Sequence, residues 1–184
     1  MTQPLIDAAL PDAGELPEFR CEFAAERRSE LTVLIPVINE GERILTQLAR
    51  MQTLGHGLDV LLVDGGSTDG STEAVCLRRL GVTTLLVKTG AGRLSAQLRL
   101  GMACAMSRGY AGVITIDGNG KDDCSGIPAF ATALRAGYDH LQGSRFRHAT
   151  HFKRWRPDKP VPDCRYDQLD VTPPFELKEI FGAR

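Results

Sequence analysis

The sequence lacks an excess of charge of either sign. Its 184 residues hold 22 Lys and Arg against 23 Asp and Glu, for a net charge of -1. A general nucleic-acid binder carries a marked basic excess, so no nucleic-acid partner is expected. No run approaches the roughly 18–20 apolar residues that cross a bilayer, so no transmembrane segment is expected either. The opening MTQPLIDAALPDAGELPEFR has no basic n-region and no apolar h-region, unlike a secretory signal. Cys21, Cys76, Cys104, Cys124 and Cys164 are odd in number and include no C-x-x-C pair. Such spacing supplies neither a disulfide framework nor a zinc knuckle, and fits small core residues in a reducing cytoplasm. There is no G-x-x-x-x-G-K-[ST] and no G-x-S-x-G, which sets aside P-loop nucleotide hydrolysis and the hydrolase nucleophile elbow. TGAGRLSAQLRLG does not complete G-x-G-x-x-G, because Ser95 stands at its third position. A nicotinamide-binding domain is therefore weakly indicated.

What is present is enough apolar material for one folded domain: 42% of residues are hydrophobic. Residues 1–30 read as a polar leader that ends in a short helix or coil. From Leu31 the chain alternates. LTVLIPV (31–37), DVLLVD (59–64), VTTLLV (82–87), GVITID (112–117) and YDHLQG (138–143) are short apolar runs with the character of buried strands. Between them lie helical stretches at Glu40 to about Met51, through Ala74, Val75 and Leu80, at 92–107, and at 127–137. Ser67 or Thr68 is expected to cap the second of these. Strands alternating with helices predict an α/β fold with a mainly parallel sheet covered on both faces. Residues 147–184 read as a proline-containing tail, loop-like apart from a short helix at FELKEIF.

In such a sheet, ligands bind beyond the C-terminal ends of the strands. Those ends carry Pro36, Asn39 and Glu40; Asp64, Gly65, Gly66, Ser67 and Asp69; Gly90, Gly92 and Arg93; Asp117, Asn119, Asp122 and Asp123; and Ser144 with Arg145. Carboxylates can accept hydrogen bonds from a base or ribose, or hold a divalent ion against a diphosphate. Glycines let backbone N–H groups come close to a ligand, and arginine binds phosphate bidentately. The combination points to a phosphate-bearing nucleotide. Asp122 and Asp123 also read as helix-start residues favoured by the dipole.

The segments LTVLIPVINEGERI, DVLLVDGGSTDGST, GVITIDGNGKDDCSGIP and QGSRF, in this order, resemble family 2 glycosyltransferases of the three-layer α/β/α GT-A fold. The branch they most resemble transfers sugars to dolichol or polyprenyl phosphate. The resemblance covers residues 31–146, which it marks as a nucleotide-sugar-binding core. It implies that Pro36, Asn39 and Glu40 line the nucleotide pocket and that Asp64 and Ser67 contact base and ribose. It implies that Asp117 and Asn119 hold Mg²⁺ or Mn²⁺, and that Arg145, with Arg93, contacts phosphate. Asp117 and Arg145 are the residues it assigns to catalysis. The sequence departs from the family pattern at Gly65, where an Asp is common, and at Asn119, which replaces a carboxylate. Lys121 adds a positive charge near the metal position, which either weakens metal binding or itself neutralises diphosphate.

The implied activity is inverting transfer of a sugar from a UDP- or GDP-sugar to an acceptor. A polyprenyl phosphate is expected, since an anionic acceptor needs no general base. The tail's RFRHATHFKRWR, basic residues interleaved with aromatics, suits an anionic membrane surface. The expected location is cytoplasmic, peripheral to the membrane. Members of the family usually continue past the G-S-R, so the chain reads as shortened at its C-terminus. The alternative is a catalytically silent nucleotide-sugar-binding module or truncated transferase. A nucleotidyltransferase ranks last, because no G-x-G-T-R-like loop follows the first strand.

Overall fold

The computed structural model describes residues 16–137. The chain divides into two compact units, Met1–His151 and Phe152–Arg184, and every described residue belongs to the first. The expected strand at 138–143, Arg145, the basic-aromatic cluster and the FELKEIF helix lie outside the described residues.

The elements are β1 (Phe19–Ala24), β2 (Leu31–Val37), α1 (Glu42–Leu54), β3 (Asp59–Asp64), α2 (Ala74–Arg79), β4 (Thr84–Lys88), α3 (Leu94–Ser107), β5 (Gly112–Thr115), a 3₁₀ turn (Cys124–Gly126) and α4 (Ile127–Arg135). They form one five-stranded sheet of order β1-β4-β3-β2-β5. The three pairings among β2 to β5 are parallel and β1 is antiparallel to β4. This is the α/β, mainly parallel architecture that the alternation of runs predicts.

Both faces of the sheet are covered because the strands are apolar on both sides. Val33, Ile35, Val60, Leu62 and Leu85 share one core with Ile44, Leu48 and Met51 of α1, Leu77 of α2 and Ile127 and Ala131 of α4. Leu34, Leu61, Val63 and Leu86 point the other way, onto Leu100 and Cys104 of α3. Among the described residues a single helix thus covers that second face. It can lie close because Gly101 has no side chain: a Cβ there would stand 2.3 Å from Leu34 Cδ1. Buried Cys104 and Cys124 are packing residues, as expected, and burial pushes the Cys104 thiol up to about 12.

Two local readings need correction. The segment read as leader, helix or coil contains β1, an edge strand registered from Phe19 opposite Lys88 to Ala24 opposite Thr84. A bulge between Cys21 and Phe23 breaks its alternation, so Phe19 and Cys21 pack toward the α3 core while Phe23 enters the other one. Second, neither Ser67 nor Thr68 caps α2. That helix starts at Ala74, and the Glu73 carboxylate accepts a bond from Cys76 N at 2.8 Å. Asp123 does start a helical turn as expected, accepting from Ser125 N at 2.9 Å ahead of Cys124–Gly126.

Gly101→Val should test the close approach of α3. Forcing a branched side chain against Leu34 and Val63 should cost about 1–3 kcal/mol or more, read as a lower urea midpoint. An unchanged midpoint would show that α3 does not sit this close to β2.

Candidate functional site

The order of the strands creates the site. The chain runs β2, β3, β4 outward in one direction, then crosses over α3 to place β5 on the other side of β2. Strand order therefore reverses between β2 and β5, and such switch points open crevices at the C-terminal edge. Here the β2–β5 ladder stops at Leu34 opposite Thr115, whereas β2–β3 continues to Val37 opposite Asp64. Pro36 lies in the stretch where β2 no longer has β5 beside it. The Leu34 carbonyl accepts from Ile116 N on the β5 side, and the Val37 carbonyl accepts from Gly65 N on the β3 side. By this alternation Pro36 faces the β5 side, where its missing N–H leaves no ladder bond unmade.

Two cavities occupy the strand ends. The first, of about 460 Å³, is lined among others by Asp64, Gly65, Ser67, Thr72 and Lys88. The second, of about 440 Å³, is lined among others by Pro36, Glu40, Arg93, Gln97, Asp117 and Asn119. With Gly65 and Gly92 also in its lining, the second cavity thus gathers residues from the ends of β2, β3, β4 and β5, among them Pro36, Glu40, Arg93, Asp117 and Asn119, which the sequence singles out. Ile38 and Leu94, both about half exposed, add apolar surface to it. Asp64 and Ser67 fall in the first cavity, while Asn39 lines neither.

Much of the polar sequence in these loops builds the frame. Asp64 is 2% exposed, and its Oδ1 accepts from Gly66 N, Ser67 N and Ser67 Oγ at 3.0, 2.8 and 2.7 Å. Its Oδ2 accepts from Thr72 Oγ1 at 3.0 Å, so the carboxylate folds its own loop into a turn. Asn39, with φ 51, is the one non-glycine residue at positive φ among the described residues. Its N donates to Ser67 Oγ at 2.9 Å and its Oδ1 accepts from Thr68 N at 2.8 Å. Gly41 N adds a 2.8 Å bond to Asp69. The Ser71 hydroxyl and backbone N–H, with that of Gly41, hold the Asp69 carboxyl below its ordinary value. The β2–α1 and β3–α2 loops are thereby latched together.

Two glutamines, not singled out by sequence, tie down the strand ends. Gln97 of α3 is 4% exposed and its Nε2 donates to the Val37 and Val63 carbonyls at 2.7 and 2.9 Å. Gln47 of α1 donates to the Asp117 carbonyl at 2.9 Å and accepts from Gly120 N at 2.9 Å. Their signal in the sequence is positional: each sits in step with the apolar stripe of its helix, where a polar residue needs a buried partner. Lys88, at the end of β4, was likewise not singled out. It is mostly buried and lines both cavities.

The groups left for chemistry differ from these. The Asp117 carboxylate accepts no hydrogen bond among the described residues. Partial withdrawal from water and, second, the Asp122 carboxylate push its carboxyl above the ordinary value, although the residue is exposed at the cavity mouth. Asp122 accepts from Asp117 N at 2.9 Å. The Asn119 Oδ1 accepts from Lys121 N at 3.0 Å. Glu40 pairs with Arg43 at 3.6 Å. Arg93 precedes α3 and is exposed beside the second cavity. No group of three or more His, Cys, Asp or Glu able to hold a metal occurs among the described residues. No helix among them is long and apolar enough to cross a membrane.

The latch makes its own prediction. Asn39→Ala should cost about 1–2 kcal/mol through the lost side-chain bond and the strain of alanine at positive φ, whereas Asn39→Gly should lose less. Equal losses, read as thermal midpoints, would show that the backbone conformation at 39 is not part of the latch.

No protein-family model matches the chain. Over 56 residues it is 43% identical to DNA ligase C2 of Mycolicibacterium smegmatis, covering 30% of this chain and 16% of the ligase. Over 114 residues it is 32% identical to glycosyltransferase AglJ of Haloferax volcanii, covering 62% of this chain and 35% of that protein. Over 147 residues it is 26% identical to the polyprenol monophosphomannose synthase of Mycolicibacterium smegmatis, covering 78% of this chain and 53% of the synthase. The chain spans about half or less of the length of each of these relatives. The two glycosyltransferase similarities run over most of the chain, and with the α/β sheet and the order of its motifs they relate it to the family 2 glycosyltransferases of the GT-A fold.

Proposed function

We propose that the chain binds a nucleotide-diphosphate sugar across the two strand-end cavities and passes the sugar, with inversion, to a polyprenyl phosphate. The observation that carries this reading is the meeting of Pro36, Glu40, Arg93, Asp117 and Asn119 in one cavity at the β2–β5 switch point. The base and ribose take the cavity of Asp64 and Ser67, where the latched loop offers a rigid wall. The sugar takes the cavity of Asp117. Arg93 and Arg145 meet the diphosphate, whose negative charge grows as the bond to the anomeric carbon breaks. An acceptor phosphate attacks that carbon from the opposite face and is already anionic at neutral pH, so the reading requires no general base. The similarity to a polyprenol monophosphomannose synthase supports this acceptor class. The short ligase similarity covers 16% of that protein and carries no reading of its own.

A divalent ion fits this donor set only in company with the substrate. Asp117, with Asp122 beside it and the Asn119 amide oxygen, would hold Mg²⁺ or Mn²⁺ whose remaining ligands are phosphate oxygens and water. Bound there, the ion would neutralise charge on the leaving diphosphate. An Asp117 carboxylate without a partner among the described residues, with a second carboxylate next to it, is a site short of positive charge, which is the physical support for the metal. The second reading, a silent nucleotide-sugar-binding module, is favoured by Asn119, a neutral ligand whose oxygen is already engaged by Lys121 N.

Calorimetric titration of the full chain with UDP- and GDP-sugars, with and without Mn²⁺, tests donor binding. One nucleotide class is expected to bind, and binding of neither would sink the reading. Transfer of labelled sugar to polyprenyl phosphate in vesicles then separates enzyme from silent module. Asp117→Ala should weaken the Mn²⁺-dependent part of donor affinity about tenfold or more, as loss of a charged ligand does; unchanged affinity with Mn²⁺ would remove Asp117 from the metal site. Because the Asp117 carboxyl titrates above its ordinary 3.8, the ion must displace a proton there at mildly acidic pH. Mn²⁺ affinity should therefore fall with decreasing pH sooner than an unperturbed aspartate would allow. A titration flat down to pH about 4 would contradict the assignment. Arg145→Ala should weaken nucleotide diphosphate more than nucleoside, and equal losses would place Arg145 away from phosphate.

A further inference from the structure

Among the described residues the two cavities share Gly65 and Lys88, and of these only Lys88 has a side chain. Lys88 closes β4 at 8% exposure, and its Nζ donates to the Gly90 carbonyl at 2.8 Å. An ammonium carries three donors, so two are left without a partner among the described residues. The ion pairs among the described residues join Arg20 to Glu22, Arg28 to Asp59, Arg43 to Glu40 and Arg135 to Glu30, and none reaches Lys88. Asp64 lines the first cavity with Lys88, but its oxygens accept from the Gly66, Ser67 and Thr72 groups. Burying an ammonium against a single carbonyl costs several kcal/mol unless an anion compensates. By contrast the other buried charged groups have their partners: Asp59, for example, accepts from Arg28 N, Ser29 N and Tyr110 Oη.

We propose that Lys88 holds the diphosphate of the donor at the point where the two cavities meet. The inference rests on the donor-binding reading and deepens it. With nucleoside in one cavity and sugar in the other, the group that bridges them is the diphosphate, and Lys88 is the side chain that faces both. Its charge is fixed in place by the β4 backbone and the Gly90 carbonyl, so little side-chain freedom is lost on binding. Arg93, exposed at the start of α3, then meets the same anion from the open side of the second cavity.

The test compares wild type, Lys88→Met and Lys88→Arg for binding of UDP, GDP and the matching nucleosides, without metal and at two salt concentrations. Losing a charge-assisted contact should weaken the bound nucleoside diphosphate about 10- to 100-fold, change nucleoside affinity by less than about twofold, and flatten the salt dependence. Lys88→Arg should recover most of the loss. A Lys88→Met protein with an unaltered melting temperature and wild-type diphosphate affinity would overturn the inference while leaving donor binding intact. Equal losses of diphosphate and nucleoside would overturn it as well. If the wild type binds no nucleoside diphosphate, the donor-binding reading fails and this inference with it. Should Lys88→Met not fold, wild type carries the test. Inorganic diphosphate should protect Lys88 from amine acylation, measured by mass spectrometry, and undiminished labelling of Lys88 would be the overturning result.

Discussion

Everything at the strand ends depends on β2 and β5 parting company after Leu34. A parallel sheet gains by continuing its ladders, so a crevice between two neighbouring strands must be kept open by something. Here a proline stands on the β5 side of β2 at the first place where pairing has ceased. Gly118 then lets the chain after β5 pass close to β2, since a Cβ there would lie 2.5 Å from Val37 Cγ1. Other backbone groups at the strand ends are tied down by side chains. Gln97 takes the Val37 and Val63 carbonyls from the α3 side, and Gln47 takes the Asp117 carbonyl from the α1 side. The strand ends around the opening are therefore held by side-chain amides, as buried backbone carbonyls require.

The motif residues divide by what their polar atoms already do. Asp64, Asn39, Ser67 and Asp69 spend most of their hydrogen-bonding capacity on one another and on nearby backbone. Their contribution to ligand binding is a fixed surface, since a wall that does not reorganise costs less to bind against. Asp117 is of the other kind: among the described residues its carboxylate has no such partner, and it lies beside a like charge. Among the described residues, an unsatisfied anion next to another anion, and an unpaired buried cation at the end of β4 with β3 and β2 between them, make the site electrostatically incomplete. A diphosphate with its counter-ion is the kind of ligand that would satisfy both.

Legibility in the sequence followed the physics of each signal. β2, β3 and β4 are continuous apolar runs, and both faces are covered, so their strand character survives without tertiary context. β1 was missed because its bulge at Glu22 breaks the period of two and its polar positions, Arg20 and Glu22, pair on the exposed side of an edge strand. The start of α2 was misplaced for a related reason. Serine, threonine and aspartate in GGSTDGS have the composition of a cap, yet they are used to close the turn on Asp64 and to hold Asn39. Strand-end carboxylates were legible as candidates because the sheet's polarity tells where they must lie. Gln47, Gln97 and Lys88 were not, because a helix pattern gives no sign of which carbonyl a buried glutamine will meet, and a strand pattern none of whether its last lysine turns inward.

The departure at Gly65 gains a physical account from the same geometry. A Cβ at that position would stand 3.0 Å from Gln97 Nε2 and 3.2 Å from its Cδ. An aspartate there would press on the amide that ties the ends of β2 and β3 together. Glycine at 65 and glutamine at 97 are thus mutually permitted choices: without a side chain at 65 the amide reaches both carbonyls, and the Gly65 N–H itself bonds the Val37 carbonyl at 2.8 Å. The charge balance shifts as well, since one carboxylate fewer beside Lys88 leaves that ammonium available to an incoming anion.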